Sequence, residues 1–146
     1  MHRDYDNNGW NCRITYLDKN GQPVLCSYGY AIKEYKRDAD GNITGEFYFD
    51  TQGNPTKSSL GEYGQLYKRD EKGRINQITY LDEDGKEATN NAGYTILKRT
   101  YYRDGNINTD MYFDKVGNPV ALSKGQYGIK YSGKIMLLLN KNGHAM

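Results

Sequence analysis

Apolar and polar residues alternate in short runs along this chain, and the runs recur. Cys12, Ile14 and Tyr16 share one side-chain parity before a turn, and Val24 and Cys26 share a parity after it. That two-residue period is the mark of a strand with one covered face. The run Ile14-Thr15-Tyr16-Leu17 returns as Ile78-Thr79-Tyr80-Leu81, with Glu46-Phe47-Tyr48-Phe49 and Asp110-Met111-Tyr112-Phe113 as the other copies. No stretch sustains a 3.6-residue period, so the pattern predicts an all-β chain in which helix is nearly absent.

The recurrence is strict. Tyr16, Tyr48, Tyr80 and Tyr112 stand 32 residues apart, and each opens a Tyr-x-Asp-x-x-Gly motif ending at Gly21, Gly53, Gly85 and Gly117. A second set of glycines, Gly9, Gly41, Gly73 and Gly105, keeps the same interval, three of them preceded by Asp6, Asp38 and Asp70. A third set, Gly29, Gly61, Gly93 and Gly125, completes the unit. In Asp-x-x-Gly the carboxylate caps a type I turn and Gly supplies the positive φ that follows it, so each unit is expected to hold two short hairpins. A lone hairpin is marginal in water, and stacking neighbours would bury the Tyr, Leu, Phe and Ile stripes. The architecture expected is a repeat solenoid of stacked β-hairpins.

A finer alternation overlies the unit. Gly29-Tyr30-Ala31-Ile32 matches Gly93-Tyr94-Thr95-Ile96, whereas Gly61-Glu62-Tyr63-Gly64 matches Gly125-Gln126-Tyr127-Gly128, a superperiod of 64. Half a turn between stacked units would produce it, and so would duplication of a pair. Residues 1–146 read as one repeat domain of about four and a half units, cut mid-unit at both ends. The Leu137-Leu138-Leu139 run is not a polar cap. It is expected either to tuck in as a last buried strand or to form an end interface.

Composition narrows the function classes. The apolar share is 36% against roughly 45–50% in ordinary globular chains, with 15 Tyr and 17 Gly among the 146 residues and a mean hydropathy of −0.94. A thin β-rich fold accommodates this better than a deep aliphatic core or a disordered tail. The net charge of +2 and the absence of Lys/Arg blocks longer than pairs such as Lys36-Arg37 argue against a nucleic-acid partner. The apolar run Ile135–Leu139 is too short to span a bilayer, and the first residues carry no signal-peptide h-region, so no membrane partner is expected. His2 and His144 lie at the two ends, and paired carboxylates recur in every unit, unlike an active site. No catalysis, cofactor or metal is expected. The oxygen-rich turns at Asp38–Asn42 and Asp82–Gly85 lack the distal bidentate Glu of a calcium loop.

Phe47-Tyr48-Phe49-Asp50-Thr51-Gln52-Gly53-Asn54 and Tyr112-Phe113-Asp114-Lys115-Val116-Gly117-Asn118 resemble the aromatic-rich tandem repeats of bacterial surface proteins. These are the choline-binding and glucan-binding repeats and the receptor-binding repeats of clostridial toxins. The Tyr-Asp-x-x-Gly halves are also similar to YD repeats, and a two-hairpin unit is similar to repeats appended to clostridial enzymes of surface-polymer synthesis. Those first families repeat at about twenty residues and typically carry Trp before the hairpin, whereas here the unit is 32 and Trp10 is the single Trp. The resemblance implies a bacterial surface-associated module that holds glycan on aromatic platforms, extracellular or at the cell surface as part of a larger protein.

Tyrosine carries most of the chemical potential, because its ring stacks on sugar C–H faces while its hydroxyl hydrogen-bonds. Tyr16, Tyr48, Tyr80 and Tyr112 occur in every unit and read as a packing ladder. Tyr30, Tyr94, Tyr63 and Tyr127 stand beside glycines expected to leave an aromatic face uncovered, and are the candidate glycan contacts. Cys12 and Cys26 share a parity on the two arms of one hairpin, so bridging and free thiols both remain open. The expected partner is a glycan or cell-wall polymer. The rival readings are self-association through uncapped ends and a passive spacer.

Overall fold

Turn chemistry sets where the strands begin and end. At Asp38 the backbone N–H donates to the Asn42 carbonyl at 3.0 Å, and Gly41 N–H donates back to the Asp38 carbonyl at 3.1 Å. The Asp38 Oδ1 accepts from the N–H groups of Asp40 and Asn42, both at 3.0 Å. Gly41 follows with φ +87°, a conformation that a Cβ would strain. Asp50, Asp82 and Asp114 build the same cap, and Asn140 builds it with its amide oxygen. The third set of glycines closes turns as well. Cys26, Ser58, Asn90 and Leu122 donate their N–H groups to Tyr30, Glu62, Tyr94 and Gln126. Each interval of 32 residues therefore carries three tight turns where two hairpins were expected.

The computed structural model describes residues 1–146. Its strands are β1 (His2–Tyr5), β2 (Asn11–Thr15), β3 (Ile32–Arg37), β4 (Ile43–Phe49), β5 (Gly64–Arg69), β6 (Ile75–Leu81), β7 (Ile96–Tyr101), β8 (Ile107–Phe113), β9 (Gly128–Ser132) and β10 (Ile135–Leu139). They follow sequence order in one open antiparallel sheet without helices. The all-β expectation holds. No helix is long and apolar enough to cross a membrane.

The chain divides into two compact units, Met1–Leu66 with Tyr80–Lys86, and Tyr67–Thr79 with Glu87–Met146. In the first unit β3 pairs with β4 over six positions, from Ile32↔Phe49 to Arg37↔Ile43, and Ile14, Tyr30, Ala31, Tyr48, Tyr80 and Leu81 form the core. In the second, β7 pairs with β8 in the corresponding register, from Ile96↔Phe113 to Tyr101↔Ile107, around Ile96, Leu97, Tyr112 and Leu139.

Bulk is traded across neighbouring strand pairs. Phe47 on β4 faces Gly64 on β5, and Met111 on β8 faces Gly128 on β9. A Cβ on Gly64 would stand 2.6 Å from the Glu46 carbonyl oxygen, and one on Gly128 would stand 2.5 Å from that of Asp110. At Ile32 and Ile96 the arrangement is reversed, with Thr15 and Thr79 as the smaller partners.

Cys12 and Cys26 are free thiols. The hairpin around Asp18 is held by the Val24 N–H donating to Tyr16 at 2.9 Å. Beyond it Cys26 enters the next turn, while the Cys12 Sγ lies 3.4 Å from the Asp4 carbonyl. Cys12 thus lies within β2, whereas Cys26 opens the turn that closes at Gly29. The Leu137–Leu139 run forms most of β10. Leu139 is buried, as a tucked-in strand requires, whereas Ile135 and Met136 are 61% and 58% exposed.

Candidate functional site

The candidate tyrosines are dispersed by the fold. Tyr30 is only 6% exposed, with its ring 4.6 Å from Tyr48 at 14°, 6.1 Å from Tyr16 and 6.4 Å from Tyr28. Gly29 was expected to leave this ring open, but three tyrosines enclose it, so Tyr30 is core. Its hydroxyl pKa is pushed up to about 12 by burial, with Lys33 opposing. Tyr94 repeats the contact at 4.6 Å from Tyr112 but is half-buried. Tyr63 is half-buried beneath the Lys57 ammonium, 5.8 Å from its ring centre, and Tyr127 is half-buried with its N–H donating to Leu139. Of the four tyrosines expected to form a packing ladder, Tyr48, Tyr80 and Tyr112 are buried, whereas Tyr16 is half-buried. None of the four candidate glycan contacts is among the residues that line the crevices at Tyr102 and Gly133, at Asp4 and Tyr35, and at Lys68 and Arg99.

The second unit contains a polar network that sequence reasoning did not single out. Arg99 on β7 and Asp110 on β8 face each other across the strand pair, with Nε to Oδ1 at 2.7 Å and Nη2 to Oδ2 at 3.0 Å. The Tyr131 hydroxyl on β9 donates to the same Oδ2 at 3.1 Å. The Asp110 side chain is 4% exposed. Hydrogen bonding to Asp110 raises the Arg99 pKa, and burial beside Asp110 raises that of Tyr131. This carboxylate fixes β7, β8 and β9 side by side.

Crevices open where successive hairpins splay. One of about 790 Å³ lies between the β7–β8 and β9–β10 hairpins and is lined by Tyr102, Asp104, Asn106, Tyr131, Ser132 and Gly133 among others. The Tyr102 hydroxyl donates to the Tyr131 carbonyl at 2.7 Å, which locks one wall to the other. Asp104 holds the turn by accepting from Asn106 N–H at 2.9 Å and Asn106 Nδ2 at 3.0 Å. Aromatic faces beside amide and carboxylate groups suit a polyhydroxylated ligand.

Two departures from the repeat meet at this groove. Tyr102 occupies the position that Asp6, Asp38 and Asp70 hold in the earlier copies. The loop between β9 and β10 is cut to Gly133-Lys134, because Ser132 pairs directly with Ile135. Both departures from the repeat line this one groove.

Further crevices lie in each unit. One of about 510 Å³ is lined by Asp4, Cys12, Arg13, Glu34 and Tyr35, and one of about 390 Å³ by Lys68, Arg69, Asn76, Gln77, Lys98 and Arg99. The oxygen-rich turns do not gather ligands: the Oδ1 of Asp82 takes the N–H groups of Asp84 and Lys86, both at 2.9 Å. No protein-family model matches the chain, and no curated protein is found similar to it.

Proposed function

We propose that this chain is a non-catalytic repeat module of a bacterial surface or surface-polymer protein, a solenoid of 32-residue units in a 64-residue superperiod. It holds cell-wall or other glycan in the crevices between successive hairpins. The observation that carries this reading is the convergence of two breaks in the repeat on one Tyr-lined groove: Tyr102 in place of the turn Asp, and the shortened loop at Gly133. A repeat kept only for packing has no need to break at two distant positions that meet. The Tyr102 and Tyr131 rings offer apolar faces, and Asp104 and Asn106 offer polar groups at the rim. The superperiod is supported by the exchange of Phe47/Gly64 and Met111/Gly128 for Thr15/Ile32 and Thr79/Ile96. A single open groove binds weakly, and copies linked along a larger protein raise the apparent affinity.

The test is co-sedimentation with bacterial cell walls beside a protein-only tube, repeated with Tyr102→Ala and with Asn106→Ala. Pelleting that requires walls and falls several-fold in both variants is the expected result. Pelleting without walls would favour self-association through the exposed Ile135 and Met136 of the edge strand β10. Protein that stays in solution in both tubes would leave the spacer reading.

A further inference from the structure

The 510 Å³ and 390 Å³ crevices are the same place in the fold, 64 residues apart. Asp4, Cys12, Arg13, Glu34 and Tyr35 of the first correspond to Lys68, Asn76, Gln77, Lys98 and Arg99 of the second. Register confirms the equivalence: Arg13 pairs with Glu34 across β2–β3, and Gln77 pairs with Lys98 across β6–β7. Their electrostatics differ. In the first crevice the Arg13 guanidinium forms an ion pair with Glu34, and Asp4 faces the His2 ring at 3.0 Å. It supplies its own counter-charges.

The second crevice is lined by four cations and two amides, with no acidic residue in its wall. The Arg99 guanidinium is occupied by Asp110, and the Arg69 Nη1 donates to the Gly73 carbonyl at 2.9 Å. Lys68 and Lys98 are exposed, and the Lys98 ammonium lies 4.8 Å from the centre of the Phe113 ring. Successive side chains alternate between the two faces of a strand, so Lys68 and Lys98 each point to the face opposite that of the neighbouring Arg69 and Arg99. In the sister crevice the Lys98 position is a glutamate, so cationic walls are not a requirement of the fold.

We infer that this crevice binds an anionic group carried on a polysaccharide, a uronate carboxylate or a backbone phosphodiester, through Lys68 and Lys98, with Asn76 and Gln77 as neutral hydrogen-bonding groups. The inference rests on the glycan reading above and narrows it to acidic polymers. The size of the site, about 390 Å³, suits a charged group with part of one sugar ring, and the net charge of the whole chain, +2, is too small for a polyanion track along the sheet.

The test is calorimetric titration of the full chain with polygalacturonate, a glycerol-phosphate polymer, neutral dextran and single-stranded DNA, at low and physiological salt. Binding of at least one acidic glycan roughly tenfold tighter than dextran, weakening with salt, is the expected result. Which acidic polymer binds identifies the source of the anion. The double variant Lys68→Gln/Lys98→Gln should lose roughly tenfold, whereas Lys36→Gln on β3 should not change binding. All three lysines are exposed, so the fold survives these changes. Equal binding of acidic and neutral polymers, an unchanged double variant, or tighter binding of DNA than of both acidic glycans would each overturn the inference. Loss of wall binding in Tyr102→Ala with acidic-polymer binding intact separates the two sites. Failure of the groove reading is thereby distinguishable from failure of this one.

Discussion

Tyr30 against Tyr48 and Tyr94 against Tyr112 are the same contact at an interval of 64 residues, each with ring centres 4.6 Å apart. The groups around them differ. In the first unit the Tyr48 hydroxyl reaches Glu46 at 3.3 Å and accepts from the Gln65 amide at 3.1 Å. In the second, the position of Glu46 is taken by Asp110, and that of Tyr35 opposite it by Arg99, which makes a bidentate ion pair. Packing was kept while polar chemistry changed, from a carboxylate that accepts a tyrosine hydroxyl in one copy to a carboxylate in a bidentate ion pair in the other. The same holds for the crevices, and it separates what the fold needs from what can be varied for function.

The sharpest way to break this comparison is to remove the shared element. Tyr30 is enclosed by Tyr16, Tyr28 and Tyr48, so Tyr30→Ala should cost about 4 kcal/mol, within the usual range for deleting a buried aromatic. Tyr94 is more exposed, and Tyr94→Ala should cost about 2 kcal/mol. Urea denaturation monitored by tyrosine fluorescence measures both. Equal losses would show that the exposed flank of Tyr94 is covered in solution.

The elements that differ come next. Asp110→Ala leaves the Arg99 guanidinium and the Tyr131 hydroxyl without their shared acceptor, at a cost of about 3 kcal/mol. Glu46 is only half-buried and holds a long 3.3 Å contact, so Glu46→Ala should cost under about 1 kcal/mol. A loss at Glu46 matching that at Asp110 would mean that the two carboxylates do the same structural job, and the contrast would fall.

Much of this fold was legible in the chain because its rules are local. Asp-x-x-Gly dictates a turn wherever it stands, and the 32-residue spacing carried that turn from copy to copy. The third turn was harder to read, because Cys26, Ser58, Asn90 and Leu122 share no capping chemistry. The candidate site was legible only as departures from the repeat. A glycine beside Tyr30 says nothing about which rings converge on it, and that depends on where Tyr28 and Tyr48 arrive from other strands. The Arg99–Asp110 pair required the register of β7 against β8, and the cationic crevice required the splay of two hairpins. Both are contacts between distant segments, which a one-dimensional pattern does not carry.

The subtlest difference between the copies is a single atom. Glu62 and Gln126 hold equivalent positions and are 3% and 8% exposed. The Gln126 amide oxygen accepts from the Lys124 N–H at 2.9 Å. The Glu62 Oε1 accepts from the Ser58 hydroxyl at 2.8 Å, but its Oε2 is buried without a hydrogen-bond partner. Burial raises the Glu62 pKa, against the hydrogen bonds from Ser58 and its own backbone, with Glu46 adding to the rise. Because the folded state holds this proton more tightly than the unfolded chain, stability is greatest below the unfolded carboxyl pKa. It falls as pH rises through the folded one, and the full penalty remains at neutral pH. Glu62→Gln, the residue that the second copy already uses, removes the charge and keeps an acceptor for Ser58. It should raise stability at pH 7 by about 1 kcal/mol and leave it almost unchanged at pH 4, flattening the stability profile between. Urea titrations of both proteins across this range provide the measurement. A variant less stable than the parent at pH 7 would show that the Glu62 charge is compensated in the fold, and that this position too has been specialised between the copies.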